Sequence, residues 1–198
     1  MCPSRAADQS LRLFVAVDLP PQVREALSRL QEEIRRHDLS YLRWVRPRGI
    51  HLTLKFLGET PAVKVAAITK ALSGTTSGRS PFRLALGAPG TFGSRRGPRV
   101  LWLDIIGDIE PLRALQAAVE EALVEVGFPR EERGFSPHLT LARVPQPARP
   151  GTAEGIAHAL RAVTPAQAEL DVREVVLMRS TLQPGGAVYE PLAALPLK

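Results

Sequence analysis

The four residues His-Leu-Thr-Leu occur twice in this chain, at 51–54 and at 138–141, offset by 87 positions. Each copy lies in a run of β-forming residues, 50–58 (IHLTLKFLG) and 136–144 (SPHLTLARV), flanked on both sides by segments of helical periodicity. A period this long, used only twice, excludes a solenoid and predicts two similar lobes related by an approximate two-fold axis. Residues two apart in a strand point the same way, about 6.5–7 Å apart. His51 and Thr53 therefore share a face with Leu52 and Leu54 behind, and His138 and Thr140 do so with Leu139 and Leu141 behind. Lobes that meet at these strands bring two imidazoles and two hydroxyls to one groove.

The rest of the pattern is consistent with that plan. The segment 11–18 reads as a strand, and Pro20-Pro21 open a helix with Val23, Leu27, Leu30 and Ile34 on one stripe. The basic, aromatic 41–47 is a loop or short strand. Thr60-Pro61 is expected to start a second helix reaching about Leu72, with 73–80 as linker. Strands at 82–86 and 99–106 flank a segment rich in glycine and arginine. The strongest helix spans 109–126 and is stopped by Gly127, and another lies near 154–163. Strands at 172–182 and 187–192 form a closing hairpin around Pro184-Gly185-Gly186. Strands interleaved with helices and hairpins predict an α+β fold: bilobal, two pseudo-symmetric lobes, each an antiparallel or mixed sheet with helices outside and a groove between them. No Gly-rich strand-to-helix turn supports a doubly wound sheet. Residues 1–10 read as a disordered tail and 11–198 as a single bilobal domain.

The 198 residues suffice for a sizeable core. No apolar run reaches the ~18 residues of a membrane span, and residues 1–10 lack a signal peptide's apolar stretch, so a cytoplasmic location is expected. The single cysteine, Cys2, excludes an internal disulfide and thiolate-rich zinc sites. Net charge is +6, and 22 of the 26 basic residues are arginine. Between Leu39 and Leu103 the one acid is Glu59, against eleven bases. A GC-rich genome accounts for abundant arginine codons but does not remove acids, so this stretch points to an anionic partner.

Paired histidines and threonines suit in-line displacement at phosphorus. With an unperturbed pKa near 6.5, one imidazole can take a proton from the incoming oxygen while the other gives one to the leaving oxygen, each role typically worth about 10²–10⁴-fold. The hydroxyls can donate to the non-bridging oxygens. A metal site is the competing use of two histidines. It lacks nearby Cys, Asp or Glu ligands and would sit in basic surroundings. No Gly-x-Ser-x-Gly elbow supports a serine hydrolase. His37 and His158 stand in helical context and read as surface residues.

The ordered motifs RLFVAVDLP, GIHLTLKFLGE, PRVLW, FSPHLTLARV and VVLMRS…GGAVYEPL, spanning 11–197, resemble the 2H phosphoesterase superfamily, and within it the RNA 2′,3′-cyclic phosphodiesterases, also called 2′-5′ RNA ligases. The resemblance implies a bilobal fold without metal or other cofactor. It also implies opening of 2′,3′-cyclic phosphate RNA ends to a 2′-phosphate, with 2′-5′ joining of tRNA halves in some members. His51 and His138 then become the acid–base pair, with His51 expected as the acid on the leaving 3′-oxygen and His138 as the base on water. Thr53 and Thr140 become donors to the substrate phosphate, and Arg143 a contact to phosphate or base. The expected partner is RNA with cyclic phosphate ends, tRNA fragments among them, met by a monomer and without a membrane.

Strict alternation puts Arg143 on the face opposite His138, so its role requires the strand to end or bulge near Ala142. Lys55 shares the phase of His51 and is expected to line the groove. Further RNA contacts are expected from Phe14 as a base-stacking ring, from Arg43, Trp44 and Arg48 as a basic aromatic patch, and from Arg95 and Arg96 in a glycine-flanked loop. Trp102, among Val100, Leu101 and Leu103, reads as core, and Ser180 and Tyr189 carry no assigned role. The alternative in another functional class is an RNA end-binding module of the same fold without turnover; intact histidines and threonines in both copies argue against it.

Overall fold

The computed structural model describes residues 9–94, 97–164, 166–184 and 186–198. Its strands form two antiparallel sheets. The first, in the order β3-β1-β8-β9, contains β1 (Ser10–Val17), β3 (Leu52–Pro61), β8 (Glu174–Gln183) and β9 (Gly186–Pro196). The second, in the order β2-β6-β5-β4-β7, contains β2 (Arg43–Trp44), β4 (Phe82–Ser94), β5 (Gly97–Gly107), β6 (His138–Arg143) and β7 (Glu169–Val172). Each sheet carries one His-Leu-Thr-Leu at the strand that meets the other sheet, β3 with His51 just before it, or β6. The second sheet repeats the plan of the first with β2 added beyond β6. The bilobal α+β expectation holds.

The four helices are α1 (Pro21–Arg35), α2 (Val65–Thr76), α3 (Ile109–Glu125) and α4 (Thr152–Ala162). Each buries an apolar stripe, as Leu112, Leu115, Val119 and Leu123 do on α3. Helices α2 and α3 cover the first sheet, while α1 and α4 cover the second. Helix α1 follows a strand of the first sheet yet packs on the second, and α3 makes the converse crossing. One continuous apolar core joins both sheets. No described helix is long and apolar enough to cross a membrane.

Several boundaries differ from the sequence reading. Gln9 and Ser10 belong to the fold: the Gln9 carbonyl accepts the Ala62 N–H, and Ser10 Oγ donates to Glu59. Residues 1–8 lie outside the described residues. Thr60-Pro61 does not start a helix, because β3 continues through Thr60, fully buried and paired with Leu11. A 3-10 turn follows, and α2 then runs through the expected linker to Thr76. The glycine-rich 87–93 is strand rather than loop. Gly90 is required there, since a Cβ would lie 2.6 Å from the Trp102 ring. The expected strand 172–182 is divided at Arg173, with β7 in one sheet and β8 in the other.

The two strands that carry the motifs share one irregularity. Between β1 and β3 the register skips Leu54, since Val15 pairs with Lys55 and Ala16 with Thr53. Between β5 and β6 it skips Leu141, since Leu101 pairs with Ala142 and Trp102 with Thr140. Each bulge sets two successive residues inward and reverses the phase beyond. The burial pattern from Leu52 to Phe56 is repeated from Leu139 to Arg143: buried, half-buried, buried, buried, exposed. A glutamine from the crossing helix answers each bulge. Gln31 of α1 donates to the Leu141 carbonyl at 2.9 Å, and Gln116 of α3 donates to the Leu54 carbonyl at 3.4 Å.

Lys55 is thereby turned away from the groove, correcting the strict-alternation reading. It is 3% exposed, and Nζ donates to Glu120 Oε1 at 2.5 Å and to the Pro129 carbonyl at 2.8 Å. Glu120 Oε1 also accepts the Glu131 N–H. Removing one partner from a buried ion pair leaves an uncompensated charge, which typically costs about 3–5 kcal/mol. Glu120→Leu is therefore expected to lose stability of that order in urea denaturation. Lys55→Met combined with Glu120→Leu should recover most of it.

Candidate active site

The doubled bulge builds a cleft of about 620 Å³ between the sheets, lined by His51, Thr53, His138, Thr140 and Arg143 together. The structure thus brings together five sequence-predicted site residues that lie up to 92 positions apart. Arg143 is re-aimed by the bulge at Leu141, with Ala142 buried in its stead. The residue equivalent to Arg143, five positions beyond the first histidine, is Phe56. It lines the same cleft with 61% of its surface exposed.

Each histidine is held in the same way. His51 Nδ1 donates to the Gly49 carbonyl at 3.0 Å, and His138 Nδ1 donates to the Ser136 carbonyl at 2.8 Å. A carbonyl can only accept, so each neutral ring carries its proton on Nδ1 and leaves Nε2 free to exchange a proton with a bound group. The carbonyl beneath His51 is itself fixed. Arg24 donates to the Asp18 carboxylate and to the Leu19 and Arg48 carbonyls, bracing the turn that holds Gly49.

Aromatic packing makes the two histidines unequal. Phe14 stacks on the His51 ring at a centroid distance of 4.5 Å, and Tyr189 meets it edge-on at 4.9 Å. Gly49 leaves room for Tyr189, since a Cβ there would lie 3.2 Å from that ring. Burial among these groups lowers the His51 pKa from 6.5 to about 4; the Gly49 carbonyl and Asp18 oppose this, and Arg24 adds to it. Burial also raises the Tyr189 hydroxyl, against the pull of Arg143 and Arg12. His138 is flanked more openly, edge-on to Phe92 at 4.9 Å and near Trp102 at 6.5 Å.

Other expectations are revised by position. Phe14 is 3% exposed, in a small cluster with Ala16, Val176 and Met178, so it supports His51 and its ring is not free to stack on a base. Trp102 faces the groove side, stacked on Phe92 at 4.8 Å, rather than the core. Trp44 is pinned by its Nε1–H to the Leu39 carbonyl and by Arg35 over its ring. Arg43 pairs with Arg143 across β2 and β6 but lines no part of the cleft, whereas Arg48 and Trp44 line an adjoining cavity. Arg95 and Arg96 lie outside the described residues. His37 and His158 pack on each other at 5.8 Å and line no part of the cleft. The acid-poor stretch is not one anion-binding face: Lys55, Lys64 and Arg79 bond protein oxygens and Arg83 faces Glu169 and Asp171.

Sequence reasoning missed Phe56, Tyr189 and the groove-side Phe92. The signal for Phe56 was available: it stands at the spacing of Arg143, shifted by the same 87 positions. Among the described residues no three His, Cys, Asp or Glu side chains converge, and no acid lines the cleft.

The family model of the 2′-5′ RNA ligase superfamily matches residues 19–183. The chain belongs to the 2′-5′ RNA ligase superfamily. An RNA 2′,3′-cyclic phosphodiesterase of Geobacillus stearothermophilus is 35% identical over 184 residues, covering 93% of this chain and 56% of that protein. This chain therefore spans just over half the length of that relative. Another, of Methanothermobacter thermautotrophicus, is 34% identical, covering 90% of this chain and 95% of its own length. Among solved structures of similar fold, TT0787 of Thermus thermophilus has a TM-score of 0.72 at 34% identity, covering 94% of this chain and 98% of that one. E. coli LigT complexed with 3′-AMP has a TM-score of 0.74 at 29% identity, covering 96% and 99%.

A histidine whose folded-state pKa is depressed binds its proton more readily when unfolded. The His51 contribution to stability is therefore fully present above about pH 6.5 and is lost as pH falls towards 4. The ring is only half-buried, so the loss is expected to be no more than about 3 kcal/mol. Urea denaturation from pH 4 to 7.5 should show this slope in the wild type and a shallower one in His51→Gln.

Proposed function

We propose that the cleft hydrolyses the 2′,3′-cyclic phosphate at RNA ends to a 2′-phosphate by two-histidine acid–base catalysis, without metal or other cofactor. The observation that carries this reading is the matched pair of imidazoles. Each is fixed through Nδ1 to the carbonyl two residues earlier, in one cleft that, among the described residues, no carboxylate lines. Relatives named RNA 2′,3′-cyclic phosphodiesterase support the same substrate.

In the proposed step, His138 Nε2 takes a proton from water as its oxygen attacks phosphorus. The bond from phosphorus to the 3′-oxygen breaks, and His51 Nε2 gives that oxygen its proton. Thr53, Thr140 and Arg143 donate to the non-bridging oxygens, where charge must be held in the transition state. A 5′-hydroxyl in place of water gives 2′-5′ ligation at the same site. His51 is neutral in the empty cleft at pH 7. The anionic phosphate bound against it favours the charged ring, so the acid acquires its proton with the substrate. Phe56 offers the exposed aromatic face on which the terminal base stacks. The enzyme is a cytoplasmic monomer, and tRNA fragments are among its substrates.

The test uses an oligonucleotide ending in a 2′,3′-cyclic phosphate, excess EDTA, and products resolved as 2′- or 3′-phosphate. The expected result is a 2′-phosphate at a rate EDTA does not change, lowered at least about 100-fold in folded His51→Ala and His138→Ala. Thr53→Ala and Thr140→Ala should be milder. Chelator-sensitive turnover contradicts the metal-free reading. RNA binding without turnover would identify an end-binding module instead.

A further inference from the structure

Next to the cleft, at Arg143 and Tyr189, lies a second cavity of about 470 Å³, within the ~300–1,000 Å³ range of pockets that hold small ligands. Val45, Gly49, Arg143, Ala187 and Tyr189 are walls of both spaces, so the two adjoin. The second cavity is strongly one-signed. Arg46, Arg48 and Arg143 line it, and among the described residues no acid does and none of the three guanidinium groups is in an ion pair.

The walls are built rather than incidental. The 3-10 turn Pro47–Gly49 is tied down where Arg24 donates to the Arg48 carbonyl at 2.9 Å. Val45 donates its N–H to the Leu141 carbonyl at 2.9 Å, and its own carbonyl accepts from Gln31. Trp44 is anchored through Nε1. Three unpaired arginines held on a fixed platform next to a phosphate-reactive centre form a receptor for a second phosphate. The main cleft also offers apolar surface, from Leu13, Phe56 and Leu182, with Arg12 and Ser180 beside it.

From this arrangement we propose that the cationic cavity binds the phosphodiester and sugar of the nucleotide adjoining the reacting 3′-terminal one. It would thereby select cyclic phosphates at the ends of polynucleotides over free cyclic mononucleotides. The inference rests on the hydrolase reading for the position of the reacting end. With the terminal base on Phe56, the next phosphate of the strand falls to the space the arginines occupy. Arg143 stands at the junction and faces both phosphates.

The experiment compares kcat/KM for a dinucleotide ending in a 2′,3′-cyclic phosphate with that for 2′,3′-cyclic UMP, in the wild type, Arg46→Gln and Val188→Trp. Val188 is 42% exposed at the cavity rim, so the larger side chain fills the cavity without entering the core. The wild type is expected to prefer the dinucleotide at least about tenfold, and each variant to lose most of that preference while cyclic UMP turnover stays within twofold. Arg46→Gln should also flatten the salt dependence of log KM for the dinucleotide by about 0.7, the value for one single-strand phosphate contact. Equal wild-type rates on both substrates, or equal losses on both in the variants, would overturn the proposal. Calorimetric binding of a dinucleotide 2′-phosphate and of 2′-UMP reads the cavity without turnover. Selective dinucleotide binding with no hydrolysis would retain the cavity and overturn the hydrolase reading, whereas hydrolysis with no selectivity would do the reverse.

Discussion

One extra residue in each of two strands governs the rest of the site. Without the bulges at Leu54 and Leu141, Phe56 and Arg143 would face the cores of their sheets, and Lys55 would project its charge into the groove. A bulge leaves ladder groups unpaired, and a buried carbonyl without a donor is costly. Gln31 and Gln116 supply donors from helices whose chain segments begin in the opposite sheet. The local irregularity and the crossing of the helices are thus one device. Neither sheet completes its half of the cleft without a helix that starts from the other.

The sequence carried the site further than it carried the boundaries. Two identical tetrapeptides at helix–strand–helix positions were enough to pair His51 with His138 and to expect a two-fold plan. The tension at Arg143 was also legible, because five residues is an odd number in a period of two. The same arithmetic misplaced Lys55, since nothing in LTLKF marks Leu54 as an extra residue before its partner strand is known. Helix α2 started late for a related reason. Thr60-Pro61 has the composition of a helix start, but pairing with Leu11 kept it in the sheet. Phe14 and Trp102 exchanged expectations because a groove between sheets has its own packed lining. An aromatic ring there can be buried without belonging to the main core, as Phe14 is, or face the groove among apolar neighbours, as Trp102 does.

The two-fold plan is broken where the chemistry needs it broken. Both histidines have the same backbone hydrogen bond, so the difference between their surroundings comes from the rings packed on them. Phe14 and Tyr189 enclose His51, and the desolvation they impose lowers its pKa, whereas Phe92 and Trp102 flank His138 edge-on. The residues after the bulges differ as well, an exposed ring at 56 and a guanidinium at 143. An exposed aromatic face and a cation thus line one cleft. A duplicated scaffold supplies the facing geometry, and a few unshared side chains give it direction.

The central claim is that the two imidazoles flank one phosphorus from opposite sides. A crystal structure with a uridine–vanadate complex, whose five-coordinate metal centre has the geometry of in-line displacement, tests it most directly. The account predicts His51 Nε2 and His138 Nε2 within hydrogen-bond distance of opposite apical oxygens, with Thr53, Thr140 and Arg143 on the equatorial ones. Vanadate bound with either imidazole out of reach of an apical oxygen, or with both on the same side, would contradict it.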